Sequence, residues 1–355
     1  DTDRSRGLGD VYKRQEIMNT AIRNRIAYID AMRGFLILTV VFVHIFDHAL
    51  FEEGVLATRT WIIDLICVFF LPLFFFISGL FTHKSNMRGL IEKFYGILLP
   101  TLITWTIYNL LTGYNLYNGL NDPFKNGYWF TYALFEIYLI YTFLNYTLQI
   151  DVRKKHIIYI GLIAAFYIIQ SLLFRFKYEI YSQDWFRIIG VQQILKYTGF
   201  FLFGVWVKNN QDKFLRLINR QIMMSIFLII SIMLFSLFRN VTILSFMNSF
   251  LMIVLIYKVF YSYRTFFEHN SYVAKSLNLI GRRTMAIYFL HYFFLNGIME
   301  MNSSEFTELL RNNWLIQIIV GLFFTMLLTT ASILLEKILQ SFPAIYKLVL
   351  GPIKK

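Results

Sequence analysis

The chain has 355 residues, of which 57% are hydrophobic and 19% aromatic, and its 34 Lys and Arg against 21 Asp and Glu leave a net charge of +13. Only 15% of it is charged, against about 25% in soluble domains, and the apolar residues fall into runs of about 20, the length a bilayer asks of a helix. These totals exclude a soluble fold and an intrachain disulfide, since Cys67 stands alone, and in such a chain a basic excess marks cytoplasmic loops, not nucleic-acid binding.

Residues 1–17 lack apolar periodicity and read as a non-native or disordered leader, with Met18 as a plausible start. Residues 18–355 read as one all-α, polytopic membrane domain, a bundle of ten transmembrane helices. The expected spans are Gly34–Phe51, Trp61–Phe81, Phe94–Gly113, Tyr128–Leu148, His156–Phe174, Ile188–Val207, Gln221–Phe238, Val241–Tyr261, Leu279–Ile298 and Trp314–Leu339. With the N-terminus inside, the inner segments hold 26 of the Lys and Arg and the outer loops seven. That asymmetry predicts an even number of spans with both termini cytoplasmic. Outer loops are turn-rich, as in Asn115–Gly127, or acidic, with Glu300, Glu305 and Glu308. Inner loops are basic.

The first span sets Arg33 at the membrane mouth and His44 deeper. Eleven residues are about three turns plus 20°, so the two share a face about 16 Å apart. Asp30 precedes Arg33 by three. Asp47 and His48 follow His44 by three and four. Ionisable groups at that depth are costly and mark functional sites. The bland reading is a buried His bonded to a neighbouring helix and an Arg anchoring the inner interface. His44 and His48 alone make only an i, i+4 pair, too few ligands to predict a metal site.

Ser78 and Gly79 close the second span, and helix packing and contact with a ligand are equally good readings of them. Trp129 opens the fourth span, as an aromatic-belt residue or an acceptor-stacking one. Lys196 is the basic residue deep in the sixth span, with Gln192 and Gln193 on one polar stripe, and Glu136 of the fourth span is its expected counter-charge. In the ninth span His291 lies nine residues beyond Arg282, about 13 Å in, with Tyr288 three residues earlier on the same face. No internal repeat or soluble domain is visible.

Several segments resemble the acyltransferase family three integral membrane proteins. IDAMRGFLILTVVFVH carries the spacing of Arg33 and His44, and FFFISGLF from Phe74 to Phe81 is similar to a Phe-Phe-x-x-Ser-Gly signature. GYWFTYALFEIYLI, with Trp129 and Phe130, FFLFGVWVK, and LIGRRTMAIYFLH, with Tyr288 and His291, are similar to three further elements. The resemblance runs from about Arg25 to about Gly351. It departs in KFYGILLP: Lys93 and Pro100 are present, but Gly96 stands where Arg is common, leaving Lys93, Arg88 or Lys84 to supply the cation.

The resemblance implies a multi-pass protein of a bacterial inner (plasma) membrane. It would move an acyl group, most often acetyl, from cytoplasmic acyl-CoA to a hydroxyl of a cell-surface or exported glycan. Acyl-CoA, acetyl-CoA above all, enters as donor substrate and no bound cofactor is expected; the partners are the donor, the glycan acceptor and membrane lipid. His44, Arg33 and Asp30 form the expected catalytic set, because imidazole titrates near neutrality and suits a base for the acceptor hydroxyl. Whether His44 takes the proton or carries the acyl group stays open. Arg33, Ser78, Gly79, Lys93, Arg282 and Arg283 are expected at the donor. Asp47, His48, Trp129, Glu136, Lys196, Tyr288 and His291 are expected to line the substrate cavity. The rival reading is a secondary transporter of a polar solute or glycan, with His44 and a Lys196–Glu136 pair as a proton relay.

Overall fold

The computed structural model describes residues 26–50, 61–82, 86–148, 155–175, 177–180, 182–238, 242–269, 271–299, 310 and 313–352. The expected leader 1–17, Lys84 and the acidic run of Glu300, Glu305 and Glu308 lie outside them, as does the side chain of His48. Every element among the described residues is helical. That is the outcome expected where no water is present to satisfy exposed backbone groups.

Among the described residues, six helices are long and apolar enough to cross a membrane: Ala27–Asp47, Trp61–Leu80, Met87–Thr112, Asp184–Asn209, Ile243–Ser262 and Trp314–Gln340. A seventh appears if Gln211–Ile218 and Gln221–Leu237, bent by 79°, count as one broken span. In chain order the elements are α1 (Ala27–His44), α2 (Trp61–Leu80), α3 (Met87–Thr112), α4 (Leu116–Asn121), α5 (Trp129–Leu148), α6 (Lys155–Arg175), α7 (Asp184–Asn209), α8 (Gln211–Ile218), α9 (Gln221–Phe238) and α10 (Thr242–Ser262). There follow α11 (Tyr272–Arg282), α12 (Thr284–Leu290), α13 (Tyr292–Met299), α14 (Trp314–Gln340) and α15 (Pro343–Leu350).

Four expected spans take other forms: besides the bent seventh, the fifth is a shorter apolar helix over Ile158–Leu173. Helix α5 is 20 residues long, but its Tyr, Thr, Glu and Asn residues make it less apolar than the six. The expected ninth span is divided among α11, α12 and α13, with breaks at Arg283 and His291.

Helix α1 is the centre of the bundle. Of its apolar window 78% is buried, against 28% for α14. Packing of this kind in lipid rests on close backbone approach, which small residues allow. A Cβ on Gly34 would lie 2.2 Å from the Leu277 carbonyl of α11, and one on Gly281 would lie 1.7 Å from the Asp30 carbonyl of α1. The crossing of α2 and α7 repeats the device, with Gly79 against Phe201 O at 1.9 Å and Gly204 against Phe76 O at 2.0 Å.

Among the described residues, two spans contain π-helical turns. In α3 the turn Phe94–Leu98 precedes Pro100, whose missing N–H leaves a carbonyl one turn back without its partner. In the first span the turn Ile45–Leu50 begins one residue after His44. Such bulges re-aim side chains and recur at functional sites.

Candidate active site

At the deep end of α1 the ring of His44 stacks on that of His291, 5.2 Å between centroids and 8° between planes. His44 Nδ1 is 2.9 Å from His291 Nε2, and His291 Nδ1 is 2.9 Å from the carbonyl of Ile287. A carbonyl only accepts, so His291 Nδ1 carries a proton. In neutral His291 the lone pair is then on Nε2, and His44 Nδ1 is the donor. A neutral His44 is thereby held with its own lone pair on Nε2, the nitrogen fit to take a proton. Tyr292 Oη lies 3.3 Å from that nitrogen.

His291 is fully buried, with 0% of its surface exposed. Tyr288, one turn earlier, donates to the Gly127 carbonyl at 2.8 Å. Tyr128 donates to the Phe289 carbonyl at 3.0 Å. Asp47 is half-buried in the π-helical turn after His44, close enough for its charge to act on Tyr292.

Tyr292 is the site residue that helical periodicity misses. On an unbroken helix consecutive side chains diverge by 100°, so His291 and Tyr292 should not meet one partner. His291 keeps helical backbone angles, φ −63° and ψ −29°, and the Phe294 amide donates to its carbonyl at 3.1 Å. Both rings nonetheless reach His44. An aromatic beside a membrane His was the only signal in the sequence.

At the shallow end of α1, Asp30 binds two guanidinium groups, with Arg33 Nη1 at 3.6 Å and Arg282 Nε at 3.7 Å. The carboxylate is buried while both cations remain partly exposed. This end therefore presents positive charge tied to one buried anchor. The Arg33 guanidinium lies 5.1 Å from the Phe81 ring centroid, and the Lys93 ammonium 4.6 Å from that of Tyr138. Arg33 and Lys93 are near enough for their charges to interact. Tyr138 donates to the Ser78 carbonyl at 3.2 Å, joining α5 to α2, and Lys208 donates to the Thr82 carbonyl.

Other expected residues are placed differently. The Ser78 hydroxyl donates to Phe74 O in its own helix, and Gly79 sits in the α2–α7 seam. Arg283 pairs with buried Glu336 of α14 at 3.2 Å. Arg88 is exposed beside Glu92, and Gly96 faces open space. Trp129 packs against Tyr197, 5.3 Å between ring centroids.

The expected pairing of Lys196 with Glu136 is corrected. Lys196 is exposed and its ammonium lies 5.2 Å from the ring of neighbouring Tyr197. The cation that acts on Glu136 is Lys125, in the turn before α5. The Lys125 ammonium is 3% exposed as a residue and donates to the carbonyls of Asp122 at 2.9 Å and Arg187 at 2.7 Å. Burial pushes it down to about 8, against the opposing pull of Asp122 and Glu136. Pairing from spacing failed because a loop lysine folded back into the bundle, while a mid-helix lysine turned outward. Lys125, Trp105, Thr101, Tyr128 and Tyr132 line a cavity of about 10 Å³, near the minimum for one water.

The arrangement is a buried imidazole pair at one end of a central helix and an anchored pair of guanidinium groups at the other. A family model described as an acyltransferase domain matches residues 26–334. No curated relative and no solved structure matches the chain. The match covers nearly all of the helical bundle and both ends of α1, so the chain is a membrane acyltransferase of acyltransferase family 3.

Proposed function

We propose that the protein transfers an acyl group, acetyl above all, from cytoplasmic acyl-CoA to a hydroxyl of a cell-surface or exported glycan. It would act from a bacterial inner membrane, with ten spans and both termini in the cytoplasm. The observation that carries this reading is the oriented His44–His291 pair at one end of α1 and the Asp30-anchored Arg33 and Arg282 at the other.

The donor's phosphates are met by Arg33, Arg282 and Lys93, whose guanidinium and ammonium groups suit phosphate. The acyl thioester lies along α1 toward His44. His44 Nε2 takes the acceptor's proton as its oxygen attacks the carbonyl carbon, and the proton then leaves on the CoA thiolate. His291 holds His44 in the productive tautomer and shares the charge of the imidazolium through the Nδ1–H bond.

The transporter reading is weakened by the outward turn of Lys196, which removes one member of its relay. The test is acyl transfer from labelled acetyl-CoA in membranes that carry the full chain, with native glycolipid as acceptor. His44→Ala should abolish transfer while the protein remains folded and membrane-inserted; unchanged transfer in that variant refutes the mechanism. A transporter should not bind acetyl-CoA in detergent.

A further inference from the structure

The base nitrogen of His44 has a phenol beside it that neither the family match nor the spacing of charged residues assigns. Tyr288 and Tyr292 flank the histidine pair, and Tyr128 packs on both of these tyrosines. Two of the three spend their proton on backbone carbonyls, Tyr288 on Gly127 and Tyr128 on Phe289. In neutral His44, with Nδ1–H aimed at His291, Nε2 only accepts, so Tyr292 is the donor across the 3.3 Å contact. Its proton points at the nitrogen assigned above as the base.

The position of Tyr292 is closely determined. It is 3% exposed. Its ring lies 4.2 Å from that of His291, 5.1 Å from that of His44 and 5.3 Å from that of Tyr128. Its phenol end passes so close to the backbone of Gly127 that a Cβ there would lie 2.3 Å from the hydroxyl. Gly127 is at φ +95°, a backbone that favours glycine in any case. Among the described residues, the charged and titratable groups around the phenol include His44, His291, Asp47, Tyr108, Tyr128 and Tyr288.

Resting on the acyl-transfer reading above, we propose that Tyr292 is a catalytic residue that donates its phenolic hydrogen bond to the acyl carbonyl oxygen as that oxygen becomes negative. When the acceptor hydroxyl binds, its hydrogen takes the lone pair of His44 Nε2 and the phenol is released from it. The acceptor oxygen forms its bond to the carbonyl carbon, its proton passes to Nε2, and the π pair moves onto the carbonyl oxygen. That oxygen is bonded to the carbon under attack, so it lies within reach of a donor that was itself beside Nε2. Collapse restores the carbonyl and breaks the C–S bond, and the thiolate leaves with the proton from Nε2. Alcohol and thioester thus become ester and thiol with no other reactant. A preorganised donor at a developing oxyanion is worth about 10²–10³ in kcat.

The experiment uses the full chain in native membranes, with acetyl-CoA as donor and the endogenous glycolipid as acceptor. Tyr292→Phe should lower kcat about 10²-fold with the KM for acetyl-CoA within about twofold, and leave the acid limb of the pH–rate profile in place, because the His44–His291 bond is intact. Fluorinated tyrosines at position 292, which lower the phenol's pKa stepwise, should shift the alkaline limb downward in the same order, because an ionised phenol cannot donate. A kcat for Tyr292→Phe within threefold of the parent, or an alkaline limb indifferent to fluorination, overturns the role of Tyr292 while loss of transfer in His44→Ala still upholds the acyl-transfer reading. Full transfer by His44→Ala overturns both.

Discussion

In the proposed mechanism His291 acts on the reaction through His44, and its loss should show that indirectness. With His291→Ala, His44 Nδ1 loses the acceptor 2.9 Å away and the ring is free to adopt either tautomer. Activity should fall about 10²-fold, the low end of what an acid–base system contributes. His291→Gln, whose amide oxygen can accept from Nδ1, should recover part of it. Equal losses in the two variants would mean that the ring serves only to fill space.

Lys125 gives a pH signature outside the spans. Its folded value of about 8 lies below its ordinary 10.5. A depressed lysine means that the fold carries the cost of a buried cation below about pH 8, a cost that fades as pH rises toward 10.5. The difference in melting temperature between the parent and Lys125→Met should therefore shift in the parent's favour from about pH 7 to about pH 9.5 in detergent. A pH-independent difference would contradict the burial of a charged ammonium.

At the scale of elements, the two glycine seams decide how closely α1 meets α11 and α2 meets α7. A methyl on Gly281 would sit 1.7 Å from the Asp30 carbonyl, a backbone atom that cannot swing away. Gly281→Ala should destabilise by about 2–3 kcal/mol, read as a lower melting temperature. It should also disturb the Arg33–Asp30–Arg282 cluster, because Asp30 is the residue pushed. Gly96→Ala is the control: nothing lies within 4 Å of that Cβ, and stability should change by less than about 0.5 kcal/mol. Asp30→Asn, which removes the charge that holds two guanidinium groups, should raise the KM for acetyl-CoA about tenfold and change kcat less. A large loss of kcat at unchanged KM would argue that Asp30 acts at the chemistry instead.

For the whole molecule, the proposed orientation puts the Arg33 end in the cytoplasm and the α4 turn outside. In a Cys67→Ser background, Asn118→Cys should react with an impermeant thiol reagent in intact cells. Lys275→Cys should react only after permeabilisation. The reverse pattern would invert the topology and move the basic mouth away from cytoplasmic acyl-CoA.

Membrane class and helical content were legible in the chain itself, because a stretch of about 20 apolar residues has few alternatives to a helix in lipid. So was the α1 motif: the spacing of Asp30 and Arg33 places them one turn apart on a regular helix, and they do meet. What periodicity did not reach came from contacts between distant segments. Tyr292 reaches His44 from 248 positions away, the outward turn of Lys196 leaves Glu136 to Lys125, and Asp30 gains a second cation from Arg282, which is 252 positions away by residue number. Spacing along a chain encodes neighbours on one helix, whereas the partner supplied by another helix depends on how their backbones cross, which only the assembled bundle decides.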